Sequence, residues 1–128
     1  MYSAFGLLNS ETNFTVEEAQ KRLAAQFPGF TVARTGDRID VTKGEWWIAM
    51  ARVTGDYIPE ETNGLMGHLA GVEPAEAEGF IASNARVEVW TDVPDPFMEH
   101  FNDYLKTVEV LKSFTGLLAV DPKERNVL

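Results

Sequence analysis

The chain has no cysteine, which excludes disulfides, thiolate nucleophiles and thiolate metal sites. No run approaches the roughly 18 consecutive apolar residues of a membrane-spanning helix, so no membrane partner is expected. Basic side chains are scarce, with 11 Lys and Arg against 20 Asp and Glu and a net charge of −9. That balance argues against nucleic acid, whose phosphates are gripped by clustered Lys and Arg. Phosphate-cradling glycine motifs are missing too, both Gly-x-x-x-x-Gly-Lys-Ser/Thr and Gly-x-Gly-x-x-Gly. None of the serines (Ser3, Ser10, Ser83 and Ser113) sits in a Gly-x-Ser-x-Gly elbow. No early basic stretch leads into an apolar core and a small-residue cleavage site, and a cytoplasmic protein is expected.

What remains is ordinary globular material. Of 128 residues, 45% are hydrophobic, and three Trp, eight Phe and three Tyr supply bulky core. A chain of this length buries roughly two-thirds of its unfolded surface, so residues 1–128 are read as one domain.

Periodicity orders the elements. Residues 2–8 form an apolar first strand. Thr15, with Glu18 three positions on, marks a capping box, and Phe14 is placed to staple onto Ala19. Val16, Ala19, Leu23 and Phe27 then repeat at helical spacing up to Pro28-Gly29. Three strands follow as an antiparallel meander over residues 30–54, turning at Gly36-Asp37 and at Lys43-Gly44. In the third, Trp47, Ala49, Ala51 and Val53 share one face and Trp46, Ile48 and Met50 the other. Both faces are apolar, so this is either a central strand covered on both sides or one with a sticky face. Two short, glycine-weakened helices are predicted at 59–70 and 74–83, the second opening on Pro74. A strand at 86–91 leads to a long helix at 96–114, with Asp95 as cap, Pro96 in its first position and Phe97 in its apolar stripe. Gly116 is its left-handed terminator, residues 117–120 are a last strand, and 123–128 are a tail. The strand–helix–strand unit over 86–120 is long enough to join parallel strands. The expected fold is therefore α+β: one mixed, mostly antiparallel sheet (β-α-β-β-β-α-α-β-α-β) with helices packed on it.

Charge is distributed unevenly along this frame. Between Val53 and Leu105 stand eleven carboxylates and one cation, Arg86, a balance of −10; the rest of the chain is at +1. Such a stretch is either a solvating face or a surface that attracts a basic partner. Arg34, Arg38, Lys43 and Arg52 fall on the meander near Trp46 and Trp47, but Asp37, Asp40 and Glu45 offset them.

Catalytic and metal chemistry find little footing. His100 and Asp103 share a helix face, with Glu99, Asp92 and Asp95 close by. No second histidine has metal-ligand spacing, and acids there also suit the positive end of a helix. The same account covers Glu60 and Glu61 behind Pro59. No catalytic residue, metal site or cofactor is assigned.

The expectation is thus a non-enzymatic module that binds a basic protein. Asp56, Glu60, Glu61, Glu73, Glu76, Asp92 and Asp95 would steer the partner, and Tyr57 and Trp90 would anchor it. Trp46 and Met50 are counted among the surface apolar groups. In profile (small, acidic, cysteine-free) the chain resembles bacterial immunity proteins, which neutralise a toxin by covering it. Its length and charge are also similar to those of acidic secretion chaperones, usually dimers with a long late helix; here a further strand follows that helix. Two alternatives are a small-ligand or metal-binding enzyme with its site near His100, and a homodimer that hides Trp46 or Trp90.

Overall fold

The computed structural model describes residues 2–128. Eleven elements follow one another: β1 (Ser3–Leu8), α1 (Val16–Gln26), β2 (Thr31–Thr35), β3 (Arg38–Lys43), β4 (Trp46–Thr54), α2 (Ile58–Met66), α3 (Pro74–Ile81), β5 (Ala85–Trp90), α4 (Phe101–Lys112), β6 (Leu117–Asp121) and β7 (Asn126–Val127). The strands make one sheet in the order β2-β3-β4-β5-β1-β6-β7, and the fold is α+β. All the pairings are antiparallel, which sharpens the expected mixed sheet. The unit β5–α4–β6 does join two strands running the same way, but β1 lies between them and pairs antiparallel with both.

Local chemistry explains the frame. The Thr15 hydroxyl accepts the Glu18 amide at 3.1 Å and starts α1. Phe14 packs edge-on against Phe114, ring centres 4.8 Å apart. Gly36 and Gly44 turn the meander at φ +61° and +60°, values that glycine adopts without steric cost.

The sheet has two unlike faces. On the first, α1 and α4 close the main core over Ala4, Leu8, Ile39, Val41, Ile48 and Val87. On the second, α2 and α3 cover only the β1–β6 region, where Leu7, Val120 and Phe80 form a smaller cluster flanked by Phe5, Leu65 and Leu118.

Three expectations are corrected. The fourth helix begins at Phe101 rather than residue 96. The Asp95 carboxylate accepts the amides of Glu99 and His100, both at 2.9 Å, and Met98 turns left-handed at φ +56°; this closes a separate turn before α4. Phe97 consequently lies 83% exposed instead of on the buried stripe. The tail is a structured return: the Asp121 carboxylate accepts the amides of Lys123 and Glu124, and β7 pairs back onto β6.

Candidate functional site

Strand alternation puts Trp47, Ala49, Ala51, Arg86, Glu88, Trp90 and Phe5 on the second sheet face, because paired residues share a face. Since α2 and α3 sit over β1 and β6, the portion over β3, β4 and β5 is left without a helical cover. Its floor is Ala49 and Ala51. Above them the Arg38 guanidinium lies 5.0 Å from the Trp90 ring centre and 5.6 Å from that of Trp47, within cation–π range. Asp40 holds Arg38 through a 2.9 Å bond from Nη2.

Of the two neighbouring tryptophans, Trp46 belongs to the core, which corrects its expected place at the surface. It is 3% exposed, and Met50 on the same side of β4 is 1% exposed. Trp47 is the half-buried one. The alternation in β4 carried the signal that the two point to opposite faces, but not which face the helices would leave open.

The acidic residues divide into two groups. Residues 54–84, which hold α2 and α3, contain Asp56, Glu60, Glu61, Glu73, Glu76 and Glu78 and no Lys or Arg. All six are exposed. Tyr57, 48% exposed, folds its ring over Gly55 at the foot of this lobe. Trp90, Asp92 and Asp95 lie towards the opposite end of β5, whose six residues span about 20 Å. The sequence-predicted residues therefore form two clusters: Asp56, Tyr57, Glu60, Glu61, Glu73 and Glu76 in one, and Trp90, Asp92 and Asp95 in the other.

Two of these carboxylates are engaged within the protein. Glu61 Oε1 accepts from Arg86 Nη1 at 2.8 Å, while Arg86 Nε donates to Glu88 at 2.9 Å. Arg86 is 6% exposed and its guanidinium carbon sits 4.0 Å from the Phe5 ring centre. Sequence reading passed over Arg86 as a site residue; its isolation as the sole cation among eleven acids was the available signal.

Asp95 is the other. Its carboxylate accepts the Tyr2 hydroxyl at 2.7 Å as well as the two backbone amides. Burial pulls its carboxyl group upward, but those three hydrogen bonds, together with the charge of His100, outweigh it and hold it below the usual carboxylate value. Tyr2 is pushed up from 10.0 to about 12, chiefly by burial and then by its bond to Asp95. His100 Nδ1 meets Asp103 Oδ2 at 2.9 Å and its ring stacks flat on Trp46, 4.2 Å between centres. With Asp95 turned to Tyr2 and the turn amides, no group of three His, Asp or Glu side chains among the described residues is placed to hold a metal ion.

This pair has a defined pH signature. Asp95 is lower in the folded state, so its contribution is present above the ordinary carboxylate range and lost as pH falls through the lowered value. Tyr2 is higher in the folded state, so its contribution is full below pH 10 and lost as pH rises from there to about 12. Alkaline urea titrations should therefore show falling stability over that window in the wild type and a flatter profile in Tyr2→Phe. Equal slopes for the two proteins would contradict the assignment.

Among the described residues, no helix is long and apolar enough to cross a membrane. Comparison with protein-family models, curated proteins and solved structures gives no match for this chain.

Proposed function

We propose that this chain is a non-enzymatic module that masks a basic protein partner, in the manner of an immunity protein. The observation that carries the reading is an arrangement along one sheet face. A lobe with six carboxylates and no Lys or Arg lies at one end of β5, and an uncovered floor bearing Trp47, Trp90 and the Asp40-paired Arg38 lies towards the other. Carboxylates of one sign raise the rate at which a basic surface arrives. Half-buried aromatic rings of fixed geometry then anchor it by burying area at low entropic cost. Asp56 and Glu60 are the steering residues of choice, because neither forms an ion pair with a described residue, whereas Glu61 is tied to Arg86.

The test uses the basic protein cross-linked to this chain in its source cell, purified and titrated against it. Affinity should fall steeply with salt, as it does for exposed charges screened over about 8–10 Å. Asp56→Lys with Glu60→Lys should weaken binding about tenfold or more, mainly through slower association. Trp90→Ala should act mainly by speeding dissociation. Binding that ignores both salt and the double reversal would overturn the proposal.

A further inference from the structure

We infer that the cavity between Tyr2 and the loop joining β5 to α4 is a socket for a lysine side chain of the basic partner. The inference rests on the masking function proposed above and deepens it. The cavity is about 360 Å³ and is lined by Tyr2, Val93, Pro94, Asp95, Pro96 and Met98, within the size range of small-ligand sites. Its walls divide by chemistry. Val93, Pro94, Pro96 and Met98 make an apolar sleeve, and the Tyr2 hydroxyl and the Asp95 carboxylate supply a polar end. No Lys, Arg or His lines it, and residues 87–105, which contain the whole loop, hold no Lys or Arg.

The socket is built before any ligand arrives. Asp95 Oδ1 accepts the Glu99 amide, and Oδ2 accepts both the His100 amide and the Tyr2 hydroxyl. Val93 N–H donates to Thr91 Oγ1 at 3.2 Å, and Met98 N–H to the Asp95 carbonyl at 3.1 Å. Pro94 and Pro96 fix their own φ. A loop fastened at this many points loses little entropy on binding. Yet Met98 is 60% exposed and Phe97 83%, so a preformed loop presents apolar surface that no described residue covers.

The choice of lysine follows from the acceptors that remain. A carboxylate offers about four lone-pair sites, and the three taken at Asp95 go to two amides and a hydroxyl, none of which carries charge. His100 turns its ring Nδ1 to Asp103 instead. The negative charge of Asp95 is thus left for a cation, with one site on Oδ1. The Tyr2 oxygen, having given its proton to Asp95, still has lone pairs to offer. Two single acceptors on neighbouring groups suit the diverging N–H bonds of an ammonium. A guanidinium fork wants both oxygens of one carboxylate side by side, and Oδ2 is already used twice. The four-carbon stem of lysine buries along the apolar sleeve while its head keeps to the polar end.

The probe is Nα-acetyl-lysine N-methylamide, titrated into the full chain and followed by the NMR signals of the Met98 and Val93 methyl groups. Saturable shifts are expected at both. Charge is varied on the ligand, because Asp95 also fastens the turn. The norleucine analogue keeps the stem and lacks the ammonium, so it should bind about fivefold more weakly or worse, and the arginine analogue should also bind less tightly than lysine. Met98→Gly removes one wall and suits the left-handed backbone at φ +56°. Read at Val93, it should weaken the lysine probe about threefold while the rest of the spectrum stays that of the wild type. Shifts that never saturate, a norleucine or arginine analogue that binds as tightly as lysine, or a Met98→Gly protein that binds as the wild type does would each overturn the socket. None of these readouts involves Asp56, Glu60 or the partner protein. A failed lysine titration leaves the salt and charge-reversal test intact, and binding that ignores Asp56→Lys with Glu60→Lys would sink the masking function whatever the probe does.

Discussion

Gly116→Ala is expected to cost about 3 kcal/mol or more of stability and to lower the melting temperature by about 10 °C. Two effects add. Gly116 sits at φ +60°, where a Cβ costs roughly 1–2 kcal/mol. That Cβ would also lie 2.5 Å from the Thr12 amide nitrogen and 2.6 Å from its Cα. Backbone atoms cannot rotate away as a flexible side chain can, so the loop itself must shift, at the roughly 1–3 kcal/mol typical of overpacking. The loop is pinned at this point: Asn9 N–H donates to the Gly116 carbonyl at 3.1 Å, Asn13 N–H to the Thr115 carbonyl, and Thr115 N–H back to Asn13 Oδ1 at 2.9 Å. Moving it breaks contacts that join the end of α4 to the start of α1. Gly44→Ala is the control, since Gly44 has the same φ and nothing within 4 Å of an added Cβ. Urea melts should place Gly44→Ala near the conformational cost alone and Gly116→Ala well beyond it. Equal losses in the two variants would remove the steric part of the argument.

That glycine shows where sequence reading succeeds and where it stops. Its left-handed role at the end of α4 was visible from position, as were the capping Thr15, the turn glycines 36 and 44 and Pro74 opening α3. Each of these depends on neighbours within a few residues. The close approach of Thr12 depends on a segment about a hundred positions away and left no local mark. The same division explains the start of α4. Asp-Pro at 95–96 has the local look of a cap and first position, but Asp95 is drawn to Tyr2 across 93 positions and the chain turns left-handed at Met98 before the helix begins. Two-residue β7 carries too little pattern to register by periodicity. Alternation sorted Trp46 from Trp47 correctly by face. Which face stays open is decided by where α2 and α3 dock, a property of tertiary packing that neither strand encodes.

Arg86→Ala should cost about 2–3 kcal/mol, and the loss should be felt first in α2. Removing one partner of a buried ion pair typically costs roughly 3–5 kcal/mol, because the remaining charge is stranded. Here the figure is discounted, since the two stranded carboxylates keep some water: Glu61 is 53% exposed and Glu88 26%. The side chain also covers the Phe5 ring at 4.0 Å, and truncation to alanine removes that packing along with the charge. Arg86–Glu61 is the ion pair that ties α2 to the sheet, bridging β5 and a helix with a glycine at position 64 and no side-chain cap. Amide exchange in Ile58–Met66 should therefore quicken well before exchange in α1, whose Thr15 cap and core contacts are untouched. Arg86→Lys should recover only part of the loss, because an ammonium lacks the rigid fork that reaches Glu61 and Glu88 together at 2.8 and 2.9 Å. A double-mutant cycle with Glu61→Ala separates the α2 tether from the Glu88 and Phe5 contacts. Its coupling energy should account for the faster exchange of α2; a coupling near zero, with α2 and α1 loosening together, would show that Arg86 works only as packing.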